Sequence, residues 1–574
     1  MKSKKLIAFL CTSILTYASI SSASACTMIY VGKGASDDGS SYVARSEDLS
    51  KGKNKIFQVH QAETHAIGDM YKGTTKFTMP YPEKTYRYTM VRDDEAKESF
   101  AEAGFNENGV AVTATVSTGA KSEVKTADPF IDTGITEEDL GTVLLSQSTS
   151  AKNAIEILAG ILDKYGAGEG NSLIVSDQKE AWFMEIVSGH QYAAIVLPED
   201  KVAVIPNMMM LGDISTYSPE KIIKSANLEK LAVDNKFAVY DDTLNTKFNV
   251  AKSYGRAYSS GSTYRVWGGA NLLNPNYAKT INPDPLTATG FNMFFDADRK
   301  VSLTDITNVL GYRYEGTAHD ANLVANSQKR AIGVESQMEI HIQQIRPNMP
   351  KELAGIQWQA MADGEYTVYL PYYATLLTDT LENYQISSPK TFNADSMYWN
   401  FYKTQELSVM NRAMYGTNVK TFWRQYQQKL IEQQAAVDKE MLALYKSDPS
   451  KLSAKATSLG KAVAKEVLGY EKTMLSELEA YVKKNPNPTT AFLPSLLGAK
   501  PVLPSYSFNM DVAPQPEVKP EVKPEVKPEV KPSEETSKKQ NVNTGDTTQS
   551  GLLFFVISIS GVAIALLALK KRKA

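Results

Sequence analysis

From residue 26 to about residue 345 the chain alternates short apolar runs with turn signals. CTMIYVG reads as a strand running into Gly32-Lys33-Gly34, SDDGS as a turn, and SYVARSED as a second strand. The segment therefore predicts a hairpin that begins at Cys26. GVAVTATVS, after the turn NENG, is a third β-rich run, and EEDLGTVLLSQSTSAKNAIEILAGILDKYG has a strongly helical period. NSLIVSD, AWFMEIVSG and YAAIVLP follow as strands with turns between them. Sheets with interposed helices suit an α+β sandwich. Trp182 and Glu185 are oddly spaced, so on one strand they face opposite ways.

From about 385 to 490 the pattern changes to helix. FWRQYQQKLIEQQAAVDKEMLALYKS carries apolar residues near i, i+3, i+4 and i+7, and AKATSLGKAVAKEVLGYEKTMLSELEAYVKK repeats the character. These predict a helical hairpin packed on the sandwich. Residues 514–532, PQPEVKPEVKPEVKPEVKP, then place proline at every fourth position, which forbids helix and favours an extended, solvated rod.

Both ends read as targeting segments. The start has the basic MKSKK, an apolar run to Ile20 and the small-residue box Ala23-Ser24-Ala25, the order of a secretory signal peptide. At the far end, 551–569 is apolar and just long enough to span a bilayer, and KKRK at 570–573 is a positive cytoplasmic stop. With Asn541-Val542-Asn543-Thr544-Gly545 ahead of it, this order resembles the cell-wall sorting signal of Gram-positive surface proteins. In that signal a sortase cuts between threonine and glycine, here Thr544 and Gly545, and joins the threonine to peptidoglycan. The commonest pattern has Leu and Pro where Asn541 and Val542 stand; the alternative is a plain membrane anchor.

Composition adds exclusions. Sixty-two Lys and Arg against 64 Asp and Glu leave a net charge of −2, with basic blocks only at the termini, so nucleic acid is not an expected partner. Five scattered histidines give no paired metal-ligand spacing, so no metal and no cofactor is expected.

Cysteine usage is more telling. Cys11 falls in the signal peptide, and cutting after Ala25 by signal peptidase leaves Cys26 first in the mature chain. Three readings of that junction stand: a stray thiol, a lipidated cysteine, or an N-terminal nucleophile. Lipoproteins usually carry Leu three residues earlier, where this chain has Ala23. As a nucleophile the residue is self-sufficient: a thiol with pKa near ~8.5 sits beside an α-amine that titrates near ~7.7–8.0 and serves as its base.

Beyond the opening Cys26-Thr27, the chain has Ala44-Arg45-Ser46-Glu47-Asp48, EAGFNENGVAVTAT at 102–115, GEGNSLIVSD at 168–177 and EAWFMEIVSGHQYAA at 180–194. It continues with AVIPN ending at Asn207, YRYEGTAHD at 312–320, WQA at 358–360, LPYY at 370–373 and SMYWNF at 396–401. In this order the motifs resemble the cysteine dipeptidase family of N-terminal nucleophile (Ntn) hydrolases. The resemblance implies a four-layer αββα core and hydrolysis of dipeptides. It divides the chain into a signal peptide (1–25), a catalytic domain (26–385), a helical extension packed on it (386–500), a repeat stalk with sorting motif (501–550) and a membrane segment with basic tail (551–574).

Roles follow from that resemblance. Cys26 would attack the scissile carbonyl, Arg45 would favour its thiolate, and Asp48 would hold the Cys26 amine or the Arg45 guanidinium. Asn207 would donate to the oxyanion. Arg265, in STYRVWGG, and His190 are candidate substrate-binding residues. Acyl-amide hydrolases of the superfamily carry a second oxyanion donor near the place of Val116, which offers no side-chain donor. The expected product is a dipeptidase tethered to the surface of a Gram-positive bacterium, its partners dipeptides, signal peptidase, a sortase, and the cell wall or membrane. The alternatives are an acyl-amide hydrolase of the same fold, acting on bile-salt, penicillin or lactone-type substrates, and a non-catalytic adhesin.

Overall fold

The hairpin expected at Cys26 is present: Thr27–Val31 pairs antiparallel with Ser41–Asp48, which sets Met28 opposite Arg45. Its connection is crowded at one point. A Cβ on Gly32 would stand 2.3 Å from the carbonyl oxygen of Glu199, so only glycine fits there. The structure is a computed structural model describing residues 26–95, 100–284 and 291–497, with side chains for all of these but 114–116.

Two antiparallel sheets organise the chain. The first runs, in spatial order, Phe294–Phe295, Val202–Ile205, Thr27–Val31, Ser41–Asp48, Gln337–Ile345, Gly355–Met361 and Leu370–Tyr372. The second runs Ile222–Lys224, Tyr192–Val196, Ala181–Ile186, Gly170–Ser176, Ala111–Thr118, Ala103–Phe105, Tyr88–Asp93 and Lys55–His60. They face each other. Thr113 Oγ1 donates across the gap to Gln343 Oε1 at 3.0 Å, and Gln343 Nε2 donates back to Val112 O at 2.8 Å.

Helices cover the outer sides. The long helical segment at 137–166 is two helices, Glu137–Gln147 and Ala151–Tyr165. Ser148, Thr149 and Ser150 interrupt it: short hydroxyl side chains compete for backbone groups, and Ser150 caps the second helix by accepting from Asn153 N. Leu140, Leu144, Ile155, Leu158 and Leu162 of this pair pack on Leu173, Val175, Trp182 and Met184 of the second sheet. Trp182 faces those helices, whereas Glu185, on the same strand, bonds Met210 N and Leu211 N.

On the first sheet, helix Ser260–Leu273 lies so close that a Cβ on Gly269 would meet Val204 at 2.5 Å. Val204 pairs with Ile29 and Ile29 with Ala44, so this is the face away from Arg45. Met397–Met410 and Leu452–Lys484 pack against the strands Gly355–Met361 and Leu370–Tyr372. Helix Thr417–Ser447 buries Phe422, Trp423, Tyr426 and Leu430, the apolar spacing read from the sequence.

The signal peptide, the repeat stalk, the Thr544 motif and the apolar segment 551–569 lie outside the described residues. Among the described residues, no helix is long and apolar enough to cross a membrane.

Candidate active site

Cys26 stands at the head of a central strand of the first sheet, wholly buried. The hairpin returns Arg45 to it, with Arg45 Nη2 3.2 Å from Cys26 Sγ. Arg45 is in turn fixed by carboxylates. Nη1 donates to Glu102 Oε2 at 3.1 Å and lies 3.8 Å from Glu339 Oε1, while Nη2 donates to Glu137 Oε1 at 3.1 Å. Burial would lower the guanidinium's pKa, but the anions around it raise it well above the ordinary value, so it is a permanent cation.

The polar set continues behind Arg45. Lys55 contacts Glu47, lies 2.8 Å from Asp93 and 3.6 Å from Glu102. Glu339 meets His341 Nδ1 at 3.1 Å, which with Arg45 outweighs burial and holds the Glu339 carboxyl below its usual range. In contrast, burial and Glu102 push Glu47 well above that range, Lys55 notwithstanding.

For the sulfur, burial dominates. It pushes the Cys26 thiol up to about 12 against the pull of Arg45, and Glu137, Asp48 and Glu47 add to the rise. With residue 25 still joined, the sulfur is therefore a thiol at neutral pH and a weak nucleophile.

A second group of residues holds the backbone of Cys26. Arg265, buried on helix Ser260–Leu273, donates from Nη1 to Cys26 O and, at 3.1 Å, to Thr27 Oγ1. Its Nη2 donates to Asn207 Oδ1 at 2.8 Å. Burial and the like charge of Arg330 pull Arg265 down to about 9, which leaves it cationic at neutral pH. Asn207 follows the strand Val202–Ile205 and Pro206; its Nδ2 donates to Ser117 O at 3.1 Å and its carbonyl accepts from Ser262 Oγ.

Asp48 takes a 2.7 Å bond from Arg330 Nη2, and burial raises its pKa in spite of Arg330 and Arg265. The structure thus joins Cys26, Arg45, Arg265 and Asn207 by direct contacts and pairs Asp48 with Arg330. His190 is placed differently. It sits in the turn after Ala181–Ile186 with its backbone N and Nδ1 on Asp128, its side chain 40% exposed. Near Val116, the pairing of Ala111–Thr118 with Gly170–Ser176 shifts register between Thr113 and Val116.

Four contributors went unread in the sequence: Glu102, Glu137, Glu339 and Arg330. Glu102 opens the quoted EAGF run and Glu137 is the first residue of a helix, so both were in view as motif or cap. Glu339 alone had a sharper signal, a charge at a buried position of a strand with apolar alternation. A cavity of about 340 Å³ also begins at the residue after Asn207, walled by Met208, Met210 and Phe294 and by the polar Asp213, Asp241 and Lys252. Among the described residues, no group of three or more His, Cys, Asp and Glu is arranged to hold a metal ion.

Comparison with known proteins shows the family of the chain. The family described as Peptidase family C69 matches residues 25–428. A probable dipeptidase B of Streptococcus pyogenes serotype M1 is 32% identical over 490 residues, covering 82% of this chain and 96% of its own. A probable dipeptidase of Salmonella dublin is 33% identical over 356 residues, covering 61% of this chain and 81% of its own. Among solved structures, a conjugated bile acid hydrolase from Clostridium perfringens aligns over 58% of this chain and 89% of its own at 13% identity, with a TM-score of 0.26.

Proposed function

Because the chain belongs to peptidase family C69, we propose that this peptidase is a dipeptidase whose nucleophile is Cys26, freed as the first residue by removal of residues 1–25. The observation that carries the reading is the 3.2 Å contact between Arg45 Nη2 and Cys26 Sγ. A buried cation held by three carboxylates and aimed at a thiol is an arrangement that favours the thiolate. The names of the relatives supply the substrate class, and the family match opens one residue before Cys26.

The chemistry runs in two halves. Trimming gives Cys26 an α-amine, which takes the thiol proton directly or through a water. The thiolate attacks the scissile carbonyl, and negative charge grows on its oxygen, where Asn207 donates under the positive field of Arg265. The leaving amine takes the proton as the C–N bond breaks, leaving a thioester. Water, with its proton drawn by the same α-amine, then cleaves the thioester and restores the thiol. Asp48 holds Arg330 beside this group.

In this reading the two sheets and their covering helices are the αββα sandwich of Ntn hydrolases. The chain is exported, and the repeat stalk holds the enzyme off the surface of a Gram-positive cell through linkage at Thr544 or through the apolar segment 551–569. The sequence order at the two ends supports this. The one second reading is an acyl-amide hydrolase of the same fold, with the cavity beside Asn207, walled by Met208 and Met210 but also by Asp213, Asp241 and Lys252, as its acyl site.

The test is N-terminal sequencing of the exported protein together with a dipeptide panel on the mature wild type and Cys26→Ser. The expected results are a chain that starts at Cys26 and a loss of dipeptide hydrolysis on the order of 10⁴-fold or more in the variant. A mature chain that keeps Ala25 and is still active overturns the mechanism. Acyl amides cleaved with dipeptides untouched moves the enzyme to the second reading.

A further inference from the structure

A dipeptide presents a protonated amine one carbon away from the carbonyl to be attacked. Burying or even half-burying that ammonium without an anion is costly, so a dipeptidase site needs a carboxylate within reach of the nucleophile. Five carboxylates surround Cys26 and Arg45. Glu47, Asp48, Glu102 and Glu339 have side chains at most 1% exposed, and they are held by Lys55, by Arg330, by Arg45 and by His341 with Arg45. Glu137 differs: its side chain is 14% exposed, so it reaches solvent where the others do not.

Its placement relative to the reacting atoms is equally specific. Arg45 Nη2 lies 3.2 Å from Cys26 Sγ and 3.1 Å from Glu137 Oε1, so one nitrogen touches both. Ser117 ties the other side: its Oγ donates to Glu137 Oε2 at 3.1 Å, and its carbonyl accepts from Asn207 Nδ2 at 3.1 Å. Glu137 and Asn207 therefore meet at one strand residue. Glu137 is thus the carboxylate tied to the same strand residue as the expected oxyanion donor. The backbone of Glu137 is fixed by donation to Glu169 Oε1 at 2.9 Å.

We propose that Glu137 binds the free α-ammonium of the substrate and so restricts the enzyme to peptides with an unblocked amino end. This rests on the reading of Cys26 as nucleophile. It also couples recognition to reactivity. Glu137 raises the Cys26 thiol, and an ammonium seated on Glu137 screens that charge, so the correct substrate favours the thiolate as it binds.

The experiment uses the mature protein, leucyl-leucine and N-acetyl-leucyl-leucine, with wild type, Glu137→Gln and Glu137→Asp. Wild type is expected to prefer the free amine, and Glu137→Gln to lose about 100-fold of that preference in kcat/KM, mainly through KM. Glu137→Asp, which keeps the charge, is expected to recover most of the preference. Alkylation of Cys26 by neutral iodoacetamide separates a binding role from service to the thiol. Losing the Glu137 charge makes the thiolate more available, so alkylation of Glu137→Gln is expected to be at least as fast as wild type. Equal losses on both peptides, or slowed alkylation, overturn the proposal and leave Glu137 a support for Arg45. A wild type that cleaves the acetylated peptide as well as the free one overturns it without any variant, while the dipeptidase reading survives. A wild type that cleaves neither removes both.

Discussion

Two layers of this molecule are equally buried and opposite in character. Under the second sheet, Leu140, Leu144, Ile155, Leu158, Leu162, Leu173, Val175, Trp182 and Met184 form a wholly apolar layer. Between the sheets, Arg45, Lys55, Glu47, Glu102, Glu339, His341, Gln343 and Gln359 are buried to the same degree. Strands contribute to both kinds of surface by alternation, as Trp182 and Glu185 do within one strand. The apolar layer stabilises through area removed from water, about 25 cal/mol per Å². The polar layer gains little net stability, because taking ions from water roughly cancels their attraction. What it supplies is a fixed field at Cys26, with every charge held by another. The fold thus separates the layer that stabilises from the layer that reacts.

The sharpest way to break this contrast is Arg45→Met. The side chain keeps most of its volume but leaves Glu102 and Glu339 buried without their guanidinium. Unpairing a buried ion typically costs about 3–5 kcal/mol, and the loss is expected as a lower urea midpoint, with dipeptide hydrolysis abolished as well. A variant as stable as wild type would mean that the polar layer is not held by ion pairing.

Leu158→Ala probes the other layer. Leu158 is fully buried on helix Ala151–Tyr165, and truncating a leucine there costs about 2–5 kcal/mol, as transfer plus cavity. Stability should fall as measured by urea unfolding. For the folded enzyme, kcat/KM on dipeptides is expected to stay within about twofold of wild type, since the residue touches only the apolar layer. A large drop in kcat/KM at full folding would show that the two layers are not separable.

The apolar layer and the hairpin at Cys26 were legible because they are local. Alternation, helical period and turn chemistry report on neighbours in the sequence, and they marked the hairpin at Cys26, the strands at 170–196 and the amphipathic helix with Phe422 and Trp423. The break at Ser148–Ser150 was missed because the apolar period runs through it; only the hydroxyl triplet marked it. The polar layer was harder to see. Arg45 was legible through its motif, but Glu102, Glu137 and Glu339 come from 57, 92 and nearly 300 positions away in the chain. Pairing at such separation is decided by how the two sheets stack, which no local period encodes. Arg330, the partner of Asp48, is distant in the same way. His190 shows the reverse case: its motif drew it toward the pocket, while its contacts are with Asp128.

The finest test of the contrast is Glu185, the one carboxyl of its strand that faces away from the apolar layer. Its oxygens accept from Met210 N at 2.6 Å and Leu211 N at 3.2 Å, which fixes the loop walling the cavity beside Asn207. Burial raises its pKa from 4.5 to about 7, more than those two donors lower it. Because the folded value is the higher one, the unfolded chain loses its proton first. Stability from this group is therefore full below about pH 4.5, declines as pH rises toward 7, and is flat above. A carboxyl moved that far carries about 3 kcal/mol between its two forms. Glu185→Gln fixes the neutral form, so the variant's stability relative to wild type should rise by up to that amount between pH 4.5 and pH 8, read from urea midpoints across the range. A pH-independent difference would mean that Glu185 is ionised throughout and that its two backbone donors, not its burial, set its state.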